Sequence, residues 1–414
     1  MSQDDPVFVY ADWQDLGGPV LMGKLYRGVV RGEEVLSFEY EPAWLKDGDP
    51  FLLDPHLQFV SGRQHADASN PFGLLMDSAP DRWGRLLIRR RAAMEPGGVS
   101  PNLFESEYLL AVSDTCRMGA LRFRASKDGP FLAEDTSLSV PPMHSLRKLE
   151  EASRRLEDTD CDDPEYTRWL QMLIAPGTSL GGARPKCCVI DPDGQLWVAK
   201  FPSRADEFDV GAWEGLVHGL AKDAGLNVAS ARTEKFSNAG HTFLSNRFDR
   251  RISERIHFAS AMNLLGYQDG DGAKTGASYL DLVDLIERAG ANTSEDLEEL
   301  WRRIAFNILI HNTDDHLRNH GFLLTGRGWR LSPAYDLNPQ PSPGGLALNI
   351  DEHNNACDLD LLCSVGQYFR LSPERQNAII GDLEQVVSEW ERRAISQGIS
   401  RSETERMRVA FELD

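Results

Sequence analysis

Asp314 and Asn319 stand five positions apart in His311-Asn312-Thr313-Asp314-Asp315-His316-Leu317-Arg318-Asn319, and Asp336 ends Pro333-Ala334-Tyr335-Asp336 seventeen positions further on. This set suits phosphoryl transfer. An Asp at the first position accepts the proton of an attacking hydroxyl, while the Asn and the downstream Asp hold the divalent cations that bridge nucleotide phosphates. Such hard cations take oxygen ligands, which these side chains supply. Asp and Asn in a short polar loop also cap helices, the plain alternative for any single one of them. Asp315 adjoins the first aspartate, but only Asp314 has the five-step spacing to Asn319.

Several elements must position these residues. The apolar run Ile304 to Ile310 predicts a buried helix that delivers the loop. Phe322-Leu323-Leu324 and Trp329-Arg330-Leu331 read as a hairpin around Thr325-Gly326-Arg327-Gly328, which returns Asp336 to the side of Asn319. Upstream, Lys200 ends the strand-like Trp197-Val198-Ala199-Lys200, and Glu214 falls in a helical stretch from Val210 to Ala224 that stops at Gly225. A Lys on a strand paired with a Glu on a helix is a device for gripping α- and β-phosphates. Gly177-Thr178-Ser179-Leu180-Gly181-Gly182-Ala183-Arg184-Pro185-Lys186 opens the preceding strand, and backbone N–H groups of such Gly-rich loops can cradle phosphate. It lacks the Gly-Lys-Ser/Thr ending of a Walker A loop and, alone, reads equally as a turn.

Other residues favour plainer readings. His311, His316 and His320 have no fourth ligand, no nearby Cys and no zinc spacing, so His316 reads as a phosphate contact or a residue that orients the loop. Arg82, Arg85, Arg89, Arg90 and Arg91 read as a solvated helix face pairing with acids, and Trp301, Phe306, Val386, Val387 and Trp390 as core.

The 414 residues predict two or three domains. A net charge of −20 argues against broad binding to nucleic acid or anionic membranes. The acidic, polar start is unlike a secretory signal, and no apolar run is long enough to span a bilayer. The six cysteines form no Cys-x-x-Cys pair, adjacent Cys187 and Cys188 are expected on opposite faces of a strand, and reduced thiols of a cytoplasmic protein are the simplest reading.

Val7 to Tyr10, Leu21 to Tyr26, Val35 to Tyr40, Pro185 to Ile190, Leu196 to Phe201 and Thr242 to Phe248 read as strands, with Asp191-Pro192-Asp193-Gly194 a hairpin turn. Asp81 to Ala93, Ser145 to Leu156 and Glu165 to Leu173 read as helices, and the polar stretch Ser126 to Pro142 as a linker. Ser372-Pro373 starts a helix with a capping residue and Pro at its first position. The pattern turns from mixed β to mostly α near residue 255, which predicts an α+β body of two lobes with a cleft between them.

At these residues the chain resembles the HipA family, the kinase toxins of bacterial type II toxin–antitoxin modules. The matching segments are Thr178 to Lys186, Val198-Ala199-Lys200-Phe201-Pro202, Arg247-Phe248-Asp249-Arg250, Asn312 to Asn319 and Ala334-Tyr335-Asp336, in the family's order. Gly23-Lys24-Leu25 and Phe72 to Asp81 resemble the small domain before the family's kinase core, so the resemblance covers nearly the whole chain. It implies a protein-kinase-like fold, with a small β-rich domain over residues 1–125, an N-lobe over 140–254 and a helical C-lobe over 255–414. It implies Ser/Thr protein kinase activity with ATP and Mg²⁺, and a cytoplasmic protein. By position Asp314 is then the catalytic base, Asn319 and Asp336 bind Mg²⁺, and His316 sits near the transferred phosphate. Lys200 holds the phosphates with Glu214 as partner, Leu180, Gly181, Gly182 and Ala183 form the phosphate loop, and Asn246, Arg247 and Phe248 fall where the hinge meets adenine. Ser179 is the expected autophosphorylation site, an event that ejects the loop and switches the kinase off. Expected partners are a HipB-like helix-turn-helix antitoxin, through which alone DNA is contacted, and a protein target such as an aminoacyl-tRNA synthetase. Two positions depart from the family pattern: Asn246 replaces an acidic hinge residue, and Asp315 stands in place of Gly.

Two other functions use the same residues differently. A small-molecule phosphotransferase of the aminoglycoside-kinase kind shares the Asp-x-x-x-x-Asn logic. A catalytically idle subunit that represses transcription with a partner would not need Lys200, Asp314, Asn319 and Asp336 intact.

Overall fold

The computed structural model describes residues 5–48, 51–66, 71–94, 102–134, 140–157, 169–170, 172–173, 182–252, 254–342 and 344–412. Ser179, Leu180 and Gly181 of the expected phosphate loop lie outside these, as does most of the helix expected over Glu165 to Leu173. The chain packs as two units, one from Met1–Arg204 with Asp249–Ala259, the other from Ala205–Phe248 with Ser260–Asp414.

In the first unit, β1 (Val7–Ala11), β2 (Val20–Val30), β3 (Glu33–Tyr40), β4 (Arg63–His65) and β5 (Leu121–Arg124) form an antiparallel sheet in the order β4-β3-β2-β1-β5. Val7, Val9, Met22, Leu25, Phe38 and Phe123 of its strands are buried. Helix α1 (Arg82–Ala93) begins where Asp81 accepts the Gly84 N–H at 2.7 Å. Its Arg85 pairs with Glu105 through both guanidinium NH groups, so this arginine serves a surface pair. The Ser126–Pro142 stretch is not simply a linker. Leu132 N–H donates to the Phe123 carbonyl, and Phe131 is buried with Tyr10 and the guanidinia of Arg122 and Arg124 over or beside its ring. One aromatic residue suffices to pull the start of a polar segment onto the sheet. After α2 (Leu146–Glu157), the strands β6 (Lys186–Ile190) and β7 (Leu196–Lys200) form the expected hairpin. Cys187 and Cys188 are both buried, because this strand is covered on both faces.

The second unit begins with α3 (Val210–Asp223), which stops at Gly225 in the left-handed region (φ 79°). It lies on the hairpin of β8 (Ala231–Ser237) and β9 (Gly240–Asn246). The approach is so close that a Cβ at Gly211 would sit 1.9 Å from the His241 carbonyl oxygen and one at Gly215 2.3 Å from a Thr233 methyl group. Strand β9 ends at Asn246, so Arg247 and Phe248 lie beyond the ladder they were expected to extend. The rest is mostly helical: α4 (Tyr279–Ala289), α5 (Thr293–Leu309), the hairpin β10 (Gly321–Thr325) and β11 (Gly328–Leu331), then α6 (Pro373–Val387), α7 (Trp390–Ser396) and α8 (Arg401–Met407). Trp301, Phe306, Val387 and Trp390 are buried, whereas Val386 is half-buried, one position off the apolar stripe of α6. Ser372 caps α6 by accepting the Arg375 N–H at 3.3 Å. Among the described residues, no helix is long and apolar enough to cross a membrane.

Candidate active site

The buried helix α5 ends at Leu309, and the chain reverses through His311, a non-glycine residue held at φ 51°. Asn312 donates its backbone N–H to the Asn307 carbonyl at 2.8 Å and its side-chain amide to Asn307 Oδ1 at 3.1 Å, which folds the loop back on the helix. His311 Nε2 meets the Gly344 carbonyl at 3.0 Å.

The adjacent aspartates have opposite surroundings. Asp315 is 3% exposed, and one of its oxygens accepts from Tyr279 of α4 (2.8 Å), Asn307 of α5 (2.8 Å) and His320 (2.9 Å). Burial pushes its pKa up, but His320 and the Tyr279 hydroxyl outweigh that and hold it below the usual carboxylate range. Burial and the Asp315 charge in turn push the Tyr279 hydroxyl well above its ordinary pKa. Asp315 is thus a fixed, ionised anchor. Asp314 is exposed, and no described side chain hydrogen-bonds its carboxylate. Its pKa is raised by partial desolvation and by the charges of Asp336 and Asp315, against the opposing pull of His316.

Asn319 is brought beside Asp314 by its own side chain, whose Nδ2 donates to the Asp314 carbonyl at 3.1 Å. With that nitrogen committed, Oδ1 is the atom left to meet a cation. The β10–β11 hairpin pairs Phe322 with Leu331, and Ser332 N–H then donates to the Gly321 carbonyl at 2.8 Å, so the chain returns to where it left the loop. Tyr335 completes the return by donating its hydroxyl to the Arg318 carbonyl at 2.5 Å. Asp336 follows at φ 58°, a left-handed conformation that Asp tolerates, with Asn338 Nδ2 donating to its Oδ1 at 3.0 Å. The structure therefore gathers Asp314, His316, Asn319 and Asp336 within one unit.

Phe248 joins this cluster from another direction: its ring lies 5.6 Å from that of Tyr335. Asn246 and Arg247 precede it, the Asn246 N–H on the Ser230 carbonyl at 2.8 Å and Arg247 buried. The Arg247-Phe248-Asp249-Arg250 motif then divides between the units. In the first unit, Asp249 accepts the Gly119 N–H at 2.8 Å and Arg250 donates to the carbonyls of Gly119 and Arg117. Glu214 is buried in α3 of the second unit, whereas Gly182, Ala183 and Lys200 belong to the first.

Sequence reasoning missed four contributors. Tyr279 anchors Asp315 from 36 positions upstream and Asn307 from the helix that delivers the loop, and only the unusual Asp-Asp pair hinted at a second role. Asn338 holds the Asp336 carboxylate, two residues away in Asp-Leu-Asn. Lys186, at the foot of the Gly-rich loop, is 2% exposed and pairs at 2.9 Å with Asp81, the cap of α1. A Cβ on Gly182 would lie 3.1 Å from Lys186 Nζ, so the buried pair also defines where the loop's end can run.

The donor set fits Mg²⁺. Among the described residues, no group of three or more His, Cys, Asp and Glu side chains is set to hold a metal. Mg²⁺ at phosphoryl-transfer sites needs only one or two carboxylate or amide oxygens, with phosphates and water completing its shell. His320 and His311 have their Nε2 atoms engaged by Asp315 and the Gly344 carbonyl.

Comparison with known proteins bears on the family and the fold. A family model described as the HipA-like C-terminal domain matches residues 178–390. Y4mE of Sinorhizobium fredii (strain NBRC 101917 / NGR234), provisionally named a kinase, is 27% identical over 210 residues, 44% of this chain and 48% of that protein. The match thus spans about half the length of this curated relative. Among solved structures, HipA of the Shewanella oneidensis MR-1 toxin–antitoxin system, in complex with HipB and its operator DNA, superposes with a TM-score of 0.67 at 19% identity, covering 98% of this chain and 95% of that one. The fold is the expected α+β, kinase-like one, with a β-rich N-terminal region and a helical C-terminal region. The family model spans more than half of the chain, and the chain belongs to the HipA-like family.

Proposed function

We propose that this chain is a HipA-type protein kinase that transfers the γ-phosphoryl group of ATP to a serine or threonine hydroxyl. The observation that carries this reading is the contrast within the Asp-Asp pair: Asp315 is consumed by three buried donors, while Asp314 is left exposed beside Asn319 and under the charge of Asp336. Asp314 orients the attacking hydroxyl and accepts its proton, a contribution of about 10²–10⁴-fold for a positioned general base. Asn319 Oδ1 and the Asp336 carboxylate hold Mg²⁺, which when bound neutralises phosphate charge. His316 orients the loop beside the transferred group. Lys200 and Glu214 grip the α- and β-phosphates, Gly182 and Ala183 close the phosphate loop begun by Leu180 and Gly181, and Asn246 to Phe248 border the adenine. The protein's work is positioning and charge compensation, since phosphoryl transfer asks little covalent chemistry of it.

By analogy with the HipA–HipB–DNA complex, the expected partner is a HipB-like helix-turn-helix antitoxin, with DNA contacted only through it. The phosphorylated target is a protein such as an aminoacyl-tRNA synthetase, in the cytoplasm, and Ser179 is the site of self-inactivation. The test is intact mass before and after incubation with ATP and Mg²⁺, followed by peptide mapping. A gain of one phosphoryl group on Ser179, or on an added protein target, supports the kinase. Transfer to small amines or sugars with none to protein would replace it by a small-molecule phosphotransferase, and ATP binding without turnover by an idle binding subunit.

A further inference from the structure

Helix α3, which carries Glu214, is gripped along its length by the last part of the chain. At its start, Asp209 accepts the Ala212 N–H (3.1 Å) as the helix cap and also holds the His241 backbone N–H (2.8 Å) and ring Nδ1 (2.6 Å). The backbone N–H of the same Asp209 donates to Glu403 Oε1 of α8 at 2.8 Å. Arg406 of α8 pairs with Glu207 and lies 5.3 Å from the centroid of the Phe208 ring, so α8 engages three successive residues before the helix. In the middle, the buried Trp213 faces Trp390 at 6.2 Å and Phe411 at 6.3 Å, and those two rings stack on each other at 4.4 Å and 7°. At the far end, Arg393 of α7 pairs with Asp223 at 2.6 Å.

We propose that residues 390–411 form an intramolecular clasp that sets the position and rotation of α3, and with them the presentation of Glu214, which makes Glu403 and Phe411 positioning residues for ATP binding. This rests on the phosphate-gripping role proposed above for Glu214. Trp213 and Glu214 are successive residues of one helix, about 100° apart around its axis, so docking the Trp213 ring fixes where Glu214 points. Three spaced attachments constrain a helix against both sliding and turning. The contacts at the start act on the residues that lead into the helix, where a few released hydrogen bonds open the first turn.

The test uses the full chain and three variants. Glu403→Ala removes the acceptor for the Asp209 N–H, Glu403→Gln keeps an acceptor oxygen, and Phe411→Ala removes the aromatic lid from Trp213. Hydrogen exchange of amides 209–223 and the ATP dissociation constant are measured on the same preparations. Losing a hydrogen bond to a charged group corresponds to about ten-fold faster exchange in the first turn of α3 for Glu403→Ala. The clasp predicts that acceleration with α5 and the β10–β11 hairpin unchanged, an ATP dissociation constant raised in parallel, and wild-type values for Glu403→Gln. Phe411→Ala is expected to loosen the middle of the helix and weaken ATP binding likewise. Unchanged exchange in Glu403→Ala, or faster exchange with unaltered ATP affinity, overturns the clasp alone. Wild-type protein that binds no ATP overturns the kinase reading and the clasp's role together, a result distinct from either of those.

Discussion

Each unit gathers aspartates at close quarters, and the two gatherings are built to opposite ends. In the first unit, Asp114 is buried and met by Arg122 (2.6 Å) and Arg255 (2.9 Å), with Asp12 sharing Arg122 at 3.2 Å. Arg117, fully buried beside them, donates to the carbonyls of Ser78, Leu109 and Val112, and burial lowers its pKa to about 10. Burial would raise the Asp114 pKa, but Arg255 and Arg122 outweigh it, and the group sits below the usual range. In the second unit, Asp314 sits above its usual range, with Asp336 and Asp315 adding to the charge around it. In the first cluster two arginines outweigh burial and hold Asp114 below its usual range, whereas in the second the pull of His316 does not outweigh burial and Asp314 stays above its own. A carboxylate held above its usual range beside two others is suited to take a proton, which is the work proposed for Asp314.

The contrast can be broken at either end. The largest effect is expected in the second cluster: Asp336→Asn should lower phosphoryl transfer by at least about 100-fold, since one proposed charged ligand of the cation is gone. A Mg²⁺ titration of the rate checks this, with half-saturation moving to higher Mg²⁺. Next, Asp315→Ala strands the Tyr279, Asn307 and His320 donors and should destabilise the chain by about 3–5 kcal/mol, read from urea unfolding of the full protein.

A pH series sharpens the contrast from the other end. The folded-state pKa of Asp114 lies below its unfolded value, so its contribution to stability is full above about pH 4 and is lost as pH falls through the folded pKa. The urea midpoint should therefore fall with acid below that point, and less steeply in Asp114→Asn. The smallest effect belongs to a site outside both clusters: Ser372→Ala removes the cap of α6 at a cost of about 1 kcal/mol, with phosphoryl transfer unchanged.

Local chemistry made much of this legible in the sequence. The Asp314–Asn319 spacing, the Phe322–Leu331 hairpin with its glycine turn and the Ser372-Pro373 helix start are each written within a few residues and appear as read. What stayed hidden is pairing over distance. Lys186 and Asp81 are 105 positions apart, and Tyr279 and Asp315 are 36 apart, so nothing local marks either as a partner of the other. Phe131 stayed hidden for a related reason, being a single aromatic residue among polar neighbours whose burial depends on the sheet it meets. The contrast between Asp314 and Asp315 was half legible. Spacing picked out Asp314, but only the three donors on Asp315 explain why the neighbouring carboxylate is there.

The most direct test of this account is single-turnover transfer from ATP and Mg²⁺ by Asp314→Asn, with its melting temperature measured alongside wild type. Because Asp314 is exposed and its side chain takes no hydrogen bond from a described residue, the account predicts melting with the wild type and loss of transfer. A variant that melts normally and transfers phosphate at the wild-type rate would contradict it.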